Sequence, residues 1–152
     1  MEAPMLSPIP DAAFEKARTL KVYSAPSEDA WSAEKAQVTT DESVAIYGMD
    51  GNWVLVSYAI GNGSRGRIGY IDDMTLPESA SIPQIDFCHV DITLTSNANA
   101  TDDPLRSRST LTTLKSGTQV TLLAFMDDRW AYVETELNGK PCRLFIPKNT
   151  LD

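Results

Sequence analysis

The sequence predicts an all-β fold made of two small barrels in tandem, joined by a short linker. From Leu20 onward, runs rich in Val, Ile, Tyr and Trp are interrupted about every eight to twelve residues by Gly, Pro, Asn or Asp. Helical periodicity is absent over any long stretch, and the alternation of strand and turn occurs twice along the chain. A chain of 152 residues is long enough for two such units, although each core would be thin.

The two copies align through a strand, a polar turn, a tryptophan and a second strand. Trp53 and Trp130 occupy the same place in the two copies. The connection after the second strand contains residues 61–66 in the first copy and Asn138-Gly139 in the second, and both are typical of hairpin turns. The matched blocks are 44–56 with 120–133, which need a single gap, and 69–76 with 144–151.

Alternation along the strands indicates which side chains face the predicted cores. In the first copy, Val54 and Val56 share one face, whereas Trp53 lies on the other face together with Leu55. The same parity in the second copy places Ala131 and Val133 inward and Trp130 and Tyr132 outward. The outward rings therefore either bind a ligand or cover a gap between the two barrels.

Prolines and polar stretches divide the chain. Three prolines in the first ten residues precede helix-favouring residues that begin with Asp11, a possible N-cap. A Pro- and Ser-rich stretch at 77–83 is typical of a linker. Two polar segments, 24–37 and 96–110, are expected to be long exposed loops. The predicted divisions are a tail with a short helix at 1–18, a first barrel at 19–77, a linker at 78–86 and a second barrel at 87–152.

Charge and hydropathy exclude several partners. The net charge is −8 and the isoelectric point is about 4.6, so phosphate backbones and anionic headgroups are repelled. No apolar run approaches the roughly 18 residues of a membrane-spanning helix. We therefore expect no nucleic-acid partner and no membrane insertion. The first residues lack the basic and apolar regions of a signal peptide, which is also what a processed secreted chain would show.

Catalysis by cysteine requires a thiolate close to a base. Cys88 and His89 are neighbours in a strand-like run, so their side chains point to opposite faces. A long-range meeting of Cys142 with His89, the single histidine, is the arrangement that would make an enzyme. We predict instead a protein that is not an enzyme and that needs no metal or cofactor. Whether Cys88 and Cys142 form a disulfide stays open.

Both copies resemble bacterial SH3 (SH3b) domains in the order of their elements. The resemblance covers roughly residues 20–152, and it implies a five-stranded, partly open barrel with a long loop between its first two strands. Such domains usually occur in extracytoplasmic proteins that bind cell-wall components or other proteins. The segments that carry the resemblance are 21–27, 44–48, 51–56 and 66–71 in the first copy and 114–122, 130–133 and 145–151 in the second.

The eukaryotic relatives of this family bind proline-rich peptides on an aromatic groove, which is incomplete in both copies. Thr150 stands where the second copy would need a tyrosine, and Asp72 and Thr75 replace the proline and tyrosine in the first copy. PxxP recognition is therefore disfavoured. Trp31 is unusual because it lies in a polar segment, where it either closes a barrel edge or contacts another surface.

We therefore expect a non-catalytic, extracytoplasmic bacterial binding module for cell-wall peptidoglycan peptide or glycan, or for another surface ligand. The alternative is a pair of spacer domains within a larger secreted protein, with protein contacts but no small ligand. The sequence leaves open the oligomeric state and whether the two barrels pack together. The candidate ligand-binding residues are Trp31, Trp53, Tyr70, Trp130, Tyr132 and Pro147.

Overall fold

The alternation of apolar runs with turn residues in the sequence produces a series of short β-strands. The computed structural model describes residues 4–9, 19–32, 36–39, 44–60, 65–72, 82–105 and 107–151. Within these ranges the regular elements are β-strands and one C-terminal 3₁₀ helix, which confirms the predicted all-β class. The predicted helix after Asp11, the hairpin tip at 61–64 and most of the Pro- and Ser-rich linker stretch lie outside the described residues. None of the described helices is long and apolar enough to span a membrane.

The strands fall into two sets of five, with one additional strand between them. We call β1 to β5 the first repeat and β7 to β11 the second repeat. The strands are β1 (Thr19–Lys21), β2 (Gln37–Thr39), β3 (Ala45–Asp50), β4 (Trp53–Ile60), β5 (Arg65–Asp72), β6 (Val90–Thr93), β7 (Ala98–Ala100), β8 (Thr112–Leu114), β9 (Gln119–Met126), β10 (Trp130–Leu137) and β11 (Lys140–Pro147), followed by the 3₁₀ helix Lys148–Leu151.

Each repeat contains an antiparallel meander of three long strands and a separate pair of short strands. The meanders are β3-β4-β5 and β9-β10-β11, and the pairs are β1-β2 and β7-β8. In both repeats the first meander strand carries a bulge, which skips Tyr47 in β3 and Leu123 in β9. The additional strand β6 pairs with the outer edge of β9. The predicted repeat is thus visible in corresponding strands and corresponding irregularities.

Three apolar clusters hold the chain together, one within each repeat and one between them. Val54 and Val56 enter the first cluster and Ala131 and Val133 enter the second, as their alternation predicts. The third cluster, which we call the inter-repeat core, is formed by the opposite faces of the same meanders. It consists of Leu6, Tyr47, Leu55, Ile68, Tyr70, Phe87, Leu123, Ala124, Met126, Tyr132 and Phe145. The two repeats are therefore packed face to face.

The prediction that both polar segments are exposed loops is wrong in part. Strand β7 lies within the second segment, and its alanines, Ala98 and Ala100, are fully buried. In the first segment Ala25 and Ala30 are buried, and the backbone N–H of Trp31 donates to a carbonyl of the second repeat. Small apolar residues at intervals among polar ones are enough to bury these segments against the sheets, although the average composition is hydrophilic.

Gly48 in β3 is held in a place where no side chain fits. Its φ is 152°, and a Cβ built on it would lie 2.5 Å from Ile85 Cγ1. Gly51, with a φ of 63°, has nothing within 4 Å of such a Cβ. We expect Gly48→Ala to lower the free energy of unfolding by about 3 kcal/mol and Gly51→Ala by about 1 kcal/mol, measured by urea denaturation. Equal losses would show that the contact with Ile85 is not tight in solution.

Candidate functional site

Two of the predicted ligand-binding residues, Tyr70 and Tyr132, lie in the centre of the inter-repeat core. Both are fully buried, and their hydroxyl oxygens are 3.2 Å apart. The ring of Tyr132 stacks on Phe145, its register partner, with ring centroids 4.6 Å apart. Strands β5 and β10 place these rings because the faces that do not enter the cores of their own repeats meet here. In this arrangement the rings contact protein rather than a ligand.

A buried arginine connects the two repeats beside these tyrosines. The Arg143 side chain is 6% exposed, and its Nη1 donates to Asp50 Oδ2 at 2.6 Å and to the Tyr70 hydroxyl at 2.8 Å. Its Nε donates to Glu134 Oε1 at 2.9 Å. The guanidinium carbon also lies over the rings of Tyr70 and Phe87, at 5.4 and 5.2 Å from the centroids. One guanidinium thus joins a carboxylate of each repeat.

The buried hydroxyls stay neutral in this environment. Burial raises the pKa of Tyr70, although the charge of Arg143 acts in the opposite direction. Burial also raises the pKa of Tyr132 well above its ordinary value, and the neighbouring Tyr70 adds to this shift. A neutral hydroxyl both donates and accepts, which the contact between the two tyrosines requires. The cluster is built for cohesion between the repeats and not for proton transfer at neutral pH.

The other predicted ligand-binding residues are partly exposed to solvent. Trp53 is half-buried and meets the ring of Tyr23 edge to face, with centroids 5.1 Å apart. Trp130 is half-buried against the inter-repeat core, opposite Pro147 in the register of β10 and β11. Trp31 leaves its own repeat and packs against the cluster of the second repeat. The structure therefore does not gather these side chains into one aromatic surface.

A cleft lies at one end of the contact between the repeats. Its volume is about 330 Å³. Ala45, Ser57 and Ile68 are neighbours in the register of the first meander, and Asp103 and Leu105 come from the second repeat. Leu105 is 48% exposed, a large fraction for an aliphatic side chain next to a cleft. The complete lining is Ala45, Ser57, Tyr58, Gly66, Arg67, Ile68, Asp103 and Leu105.

Hydrogen bonds within the first repeat and across the repeats hold the wall of this cleft. The backbone N–H of Ile68 donates to the carbonyl of Asp102 at 2.9 Å. Arg67 Nε donates to Asp102 Oδ2 at 3.3 Å, and Arg67 Nη1 donates to the Tyr58 hydroxyl at 3.4 Å. Burial raises the pKa of Asp102, and the charge of Arg67 opposes that shift. The polar groups at the wall are thus oriented before any ligand arrives.

Asp103 shapes the segment that carries Leu105. Its backbone N–H donates to the Thr101 hydroxyl at 2.9 Å, and its Oδ2 accepts the backbone N–H of Ser107 at 2.9 Å. The Ser107 hydroxyl also donates to Asp103 Oδ2. A buried carboxylate that organises its own backbone is common in tight turns. This segment was predicted only as a polar loop, and an apolar Leu105 within it was the available signal for a site.

The cysteines and the histidine each have a different environment in the structure. Cys88 Sγ donates to the carbonyl of Leu122 at 3.2 Å, and burial raises the pKa of Cys142 to about 11. His89 is exposed and packs edge to face on Phe87, with ring centroids 6.4 Å apart. Both cysteines are free thiols. Among the described residues, no group of three or more His, Cys, Asp or Glu side chains is arranged to hold a metal ion.

No family model matches the chain, and no curated protein matches it. The chain is similar to a solved structure of NlpC1 from Trichomonas vaginalis, with 17% sequence identity and a TM-score of 0.36. The alignment covers 97% of this chain and 49% of that chain, so this chain spans about half the length of that protein. A similarity of this size defines neither a family nor a function.

Removal of the Arg143 side chain should weaken the contact between the repeats. We expect Arg143→Ala to lower the free energy of unfolding by about 2 to 3 kcal/mol, because Asp50 and Glu134 lose the donor that Arg143 provides. Arg129→Ala, at an exposed arginine, should cost less than about 0.5 kcal/mol. Urea denaturation followed by tryptophan fluorescence measures both. A loss below about 1 kcal/mol for Arg143→Ala would contradict a central role for this side chain.

Alkaline pH should destabilise the protein in part through Cys142. The folded state favours the neutral thiol, so its contribution is complete below pH 9, the ordinary pKa, and is lost as the pH rises towards about 11. Between pH 8 and pH 10 this residue alone should lower the free energy of unfolding by about 1 kcal/mol. The buried tyrosines shift in the same direction. Cys142→Ala should show a smaller decline over this interval, and an unchanged decline would refute the assignment.

Proposed function

We propose that this chain is a non-catalytic, extracytoplasmic bacterial binding module in which two SH3-like repeats act as one body. The support for the SH3-like assignment is the order of the five strands in each repeat. In both, a short first strand is followed by a long segment, a short second strand and a three-stranded meander. This is the order that the resemblance to bacterial SH3 domains implies. The extracytoplasmic location is part of the proposal and derives from that resemblance.

The cleft beside Leu105 is the observation on which the binding role rests. Its volume of about 330 Å³ is at the lower end of the range of about 300 to 1,000 Å³ that ligand sites occupy. An apolar floor at Ala45 and Ile68 lies next to polar groups that hydrogen bonds already orient. Such a site suits a short peptide or a sugar with both apolar and hydroxyl surface. We take cell-wall peptide or glycan as the ligand because the resemblance favours it.

The thiol chemistry supports a role without catalysis. With a pKa of about 11, the Cys142 thiol is almost entirely protonated at neutral pH, and only the thiolate is a nucleophile. Cys88 donates its proton to a backbone carbonyl instead of to a base. His89 lies on the surface with Phe87 as its ring neighbour. These positions offer a substrate no activated nucleophile.

A second candidate is a rigid spacer that holds neighbouring parts of a larger protein at a fixed separation. The observation that favours it is the burial of Tyr70 and Tyr132 between the repeats, together with the ion pairs of Arg143. Two repeats that share an apolar core do not move independently. A spacer of this kind needs rigidity and no ligand, so the binding experiment separates the two candidates.

Co-sedimentation with insoluble bacterial cell-wall sacculi tests the proposal. We expect the unmodified protein to bind and Leu105→Asp to weaken binding by about tenfold or more, because a charge replaces an apolar contact in the cleft. Leu111→Asp is the matched control, since Leu111 is 36% exposed on the same segment but does not line the cleft. Near-ultraviolet circular dichroism verifies that both variants are folded.

Three outcomes of this experiment differ in meaning. Selective loss in Leu105→Asp supports a cell-wall binding module with its site in the cleft. Equal binding by all three proteins would place the site elsewhere, for example at the half-exposed Trp53. Absence of binding by the unmodified protein over a range of pH and salt would reject the cell-wall ligand and favour the spacer.

A further inference from the structure

Two short segments that precede the two repeats dock in the same way. We call residues 4–9 the first leading segment and residues 83–88 the second leading segment. Each begins with a proline, and each has an aliphatic residue two positions later: Leu6 in the first and Ile85 in the second. The strand pattern that predicts the two repeats does not include these shared residues, because the leading segments contain no regular strand.

The backbone contacts of the two prolines are the same. The carbonyl of Pro4 accepts the N–H of Phe125 at 2.8 Å, and the N–H of Leu6 donates to the carbonyl of Phe125 at 2.7 Å. The carbonyl of Pro83 accepts the N–H of Met49 at 2.9 Å, and the N–H of Ile85 donates to the carbonyl of Met49 at 2.8 Å. Both contacts are parallel bridges.

The two docking positions are equivalent in the repeats. Met49 in β3 lies opposite Val54, and Phe125 in β9 lies opposite Ala131. In each case the partner is the residue that follows the tryptophan of the repeat. Both positions are on the outer edge of the first meander strand. Among the described strands, none pairs with that edge of β3, and on β9 the strand β6 pairs only with residues 119–122, short of Phe125. Equivalent edges thus bind equivalent tripeptides.

The docking is reciprocal. The first leading segment precedes the first repeat but docks on β9 of the second, and the second leading segment docks on β3 of the first. Each segment then crosses back to the repeat that follows it. The N–H of Ile9 donates to the carbonyl of Ile46 at 2.8 Å, and the N–H of Cys88 donates to the carbonyl of Leu123 at 3.0 Å.

The side chain two positions after the proline enters the inter-repeat core in both segments. Leu6 is 6% exposed within this core, and Ile85 packs against it. The middle residues, Met5 and Gln84, face solvent, and Met5 is 55% exposed. The proline contributes its carbonyl to the bridge, so its missing N–H costs no ladder hydrogen bond there. The shared pattern is therefore proline, any residue, and a branched aliphatic residue.

We propose that the outer edge of β9 at Phe125 is a binding site for an extended peptide of the sequence Pro-x-Leu or Pro-x-Ile, and that the first leading segment occupies it in cis. Addition of an extended peptide to a sheet edge, with a pocket for one side chain, is an established mode of peptide recognition. This inference does not depend on the proposed cell-wall ligand, since the site and the cleft are formed by different residues.

Of the two edges, the edge of β9 at Phe125 is the one at which another peptide can replace the docked segment. The second leading segment has additional contacts, because Gln84 exchanges two side-chain hydrogen bonds with the backbone of Gly51, at 2.9 and 3.0 Å. Its Phe87 is also buried beneath the guanidinium of Arg143. The described contacts of the first leading segment are three backbone hydrogen bonds, the buried Leu6, and Ile9, which packs against the cluster of the first repeat. Fewer contacts make it the easier segment to replace.

A labelled peptide with the sequence of residues 3–9, blocked at both ends, tests the proposal by fluorescence anisotropy. The full chain carrying Leu6→Asp or Leu6→Ala should release its own segment and bind the peptide at least about tenfold more tightly than the unmodified chain does. Met5→Asp, at the exposed middle position, should behave like the unmodified chain. A peptide with aspartate in place of its leucine should lose binding by about tenfold or more.

Each remaining outcome counts against the proposal. A folded Leu6→Ala protein that takes up no peptide at millimolar concentration would show that the edge does not bind this sequence in trans. Unfolding of both Leu6 variants would show that the segment is a permanent part of the fold instead of a replaceable occupant. Equal binding of the two peptides would show that the leucine is not recognised.

Discussion

The contact between the two repeats depends on the pairing of one buried charge, the guanidinium of Arg143. A cation placed among apolar side chains is strongly destabilising unless its donors are satisfied. Here the acceptors come from both repeats, with Asp50 and Tyr70 on one side and Glu134 on the other. The charge is therefore fully paired only when the two meanders face each other. The contact between the Tyr70 and Tyr132 hydroxyls then follows, because neither ring has access to water in that arrangement.

This constraint determines what kind of binding the proposed module would perform. Two barrels on a flexible linker would gain affinity through effective concentration at two separate sites. Two meanders that share an apolar core have one fixed orientation instead, and the space at the edge of their contact becomes a preformed cleft. Arg67 lines that cleft, and it forms an ion pair with Asp102 of the other repeat. Cohesion between repeats and formation of the cleft are thus consequences of the same packing.

The sequence was sufficient for the fold class and for the inward faces of the strands. Turn residues at regular intervals predict the meanders, and alternation places Val54 in the core of its repeat because side chains in a strand alternate in direction. The role of Arg143 was not predictable, because its partner Asp50 is 93 positions away and no local pattern joins them. The buried state of Tyr70 was missed for the same reason, whereas for Tyr132 the sequence left two alternatives, a ligand or a gap between the barrels, and the structure shows the second. Alternation along a strand shows which face a ring is on, but it does not show whether another part of the chain packs on that face.

The reciprocal docking of the leading segments addresses a problem that every open meander has. The outer edge of its first strand exposes backbone donors and acceptors that favour pairing with other chains. In this protein segments that contain a proline cover the edge of β3 at Met49 and the edge of β9 at Phe125, and β6 pairs with residues 119–122 of β9. The proline cannot extend the hydrogen-bonded ladder on its own N–H side. Each proline segment therefore forms a single bridge with the edge that it covers. Such an edge is protected against open-ended association yet still distinguishes a sequence, because the residue two positions after the proline must fill the inter-repeat core.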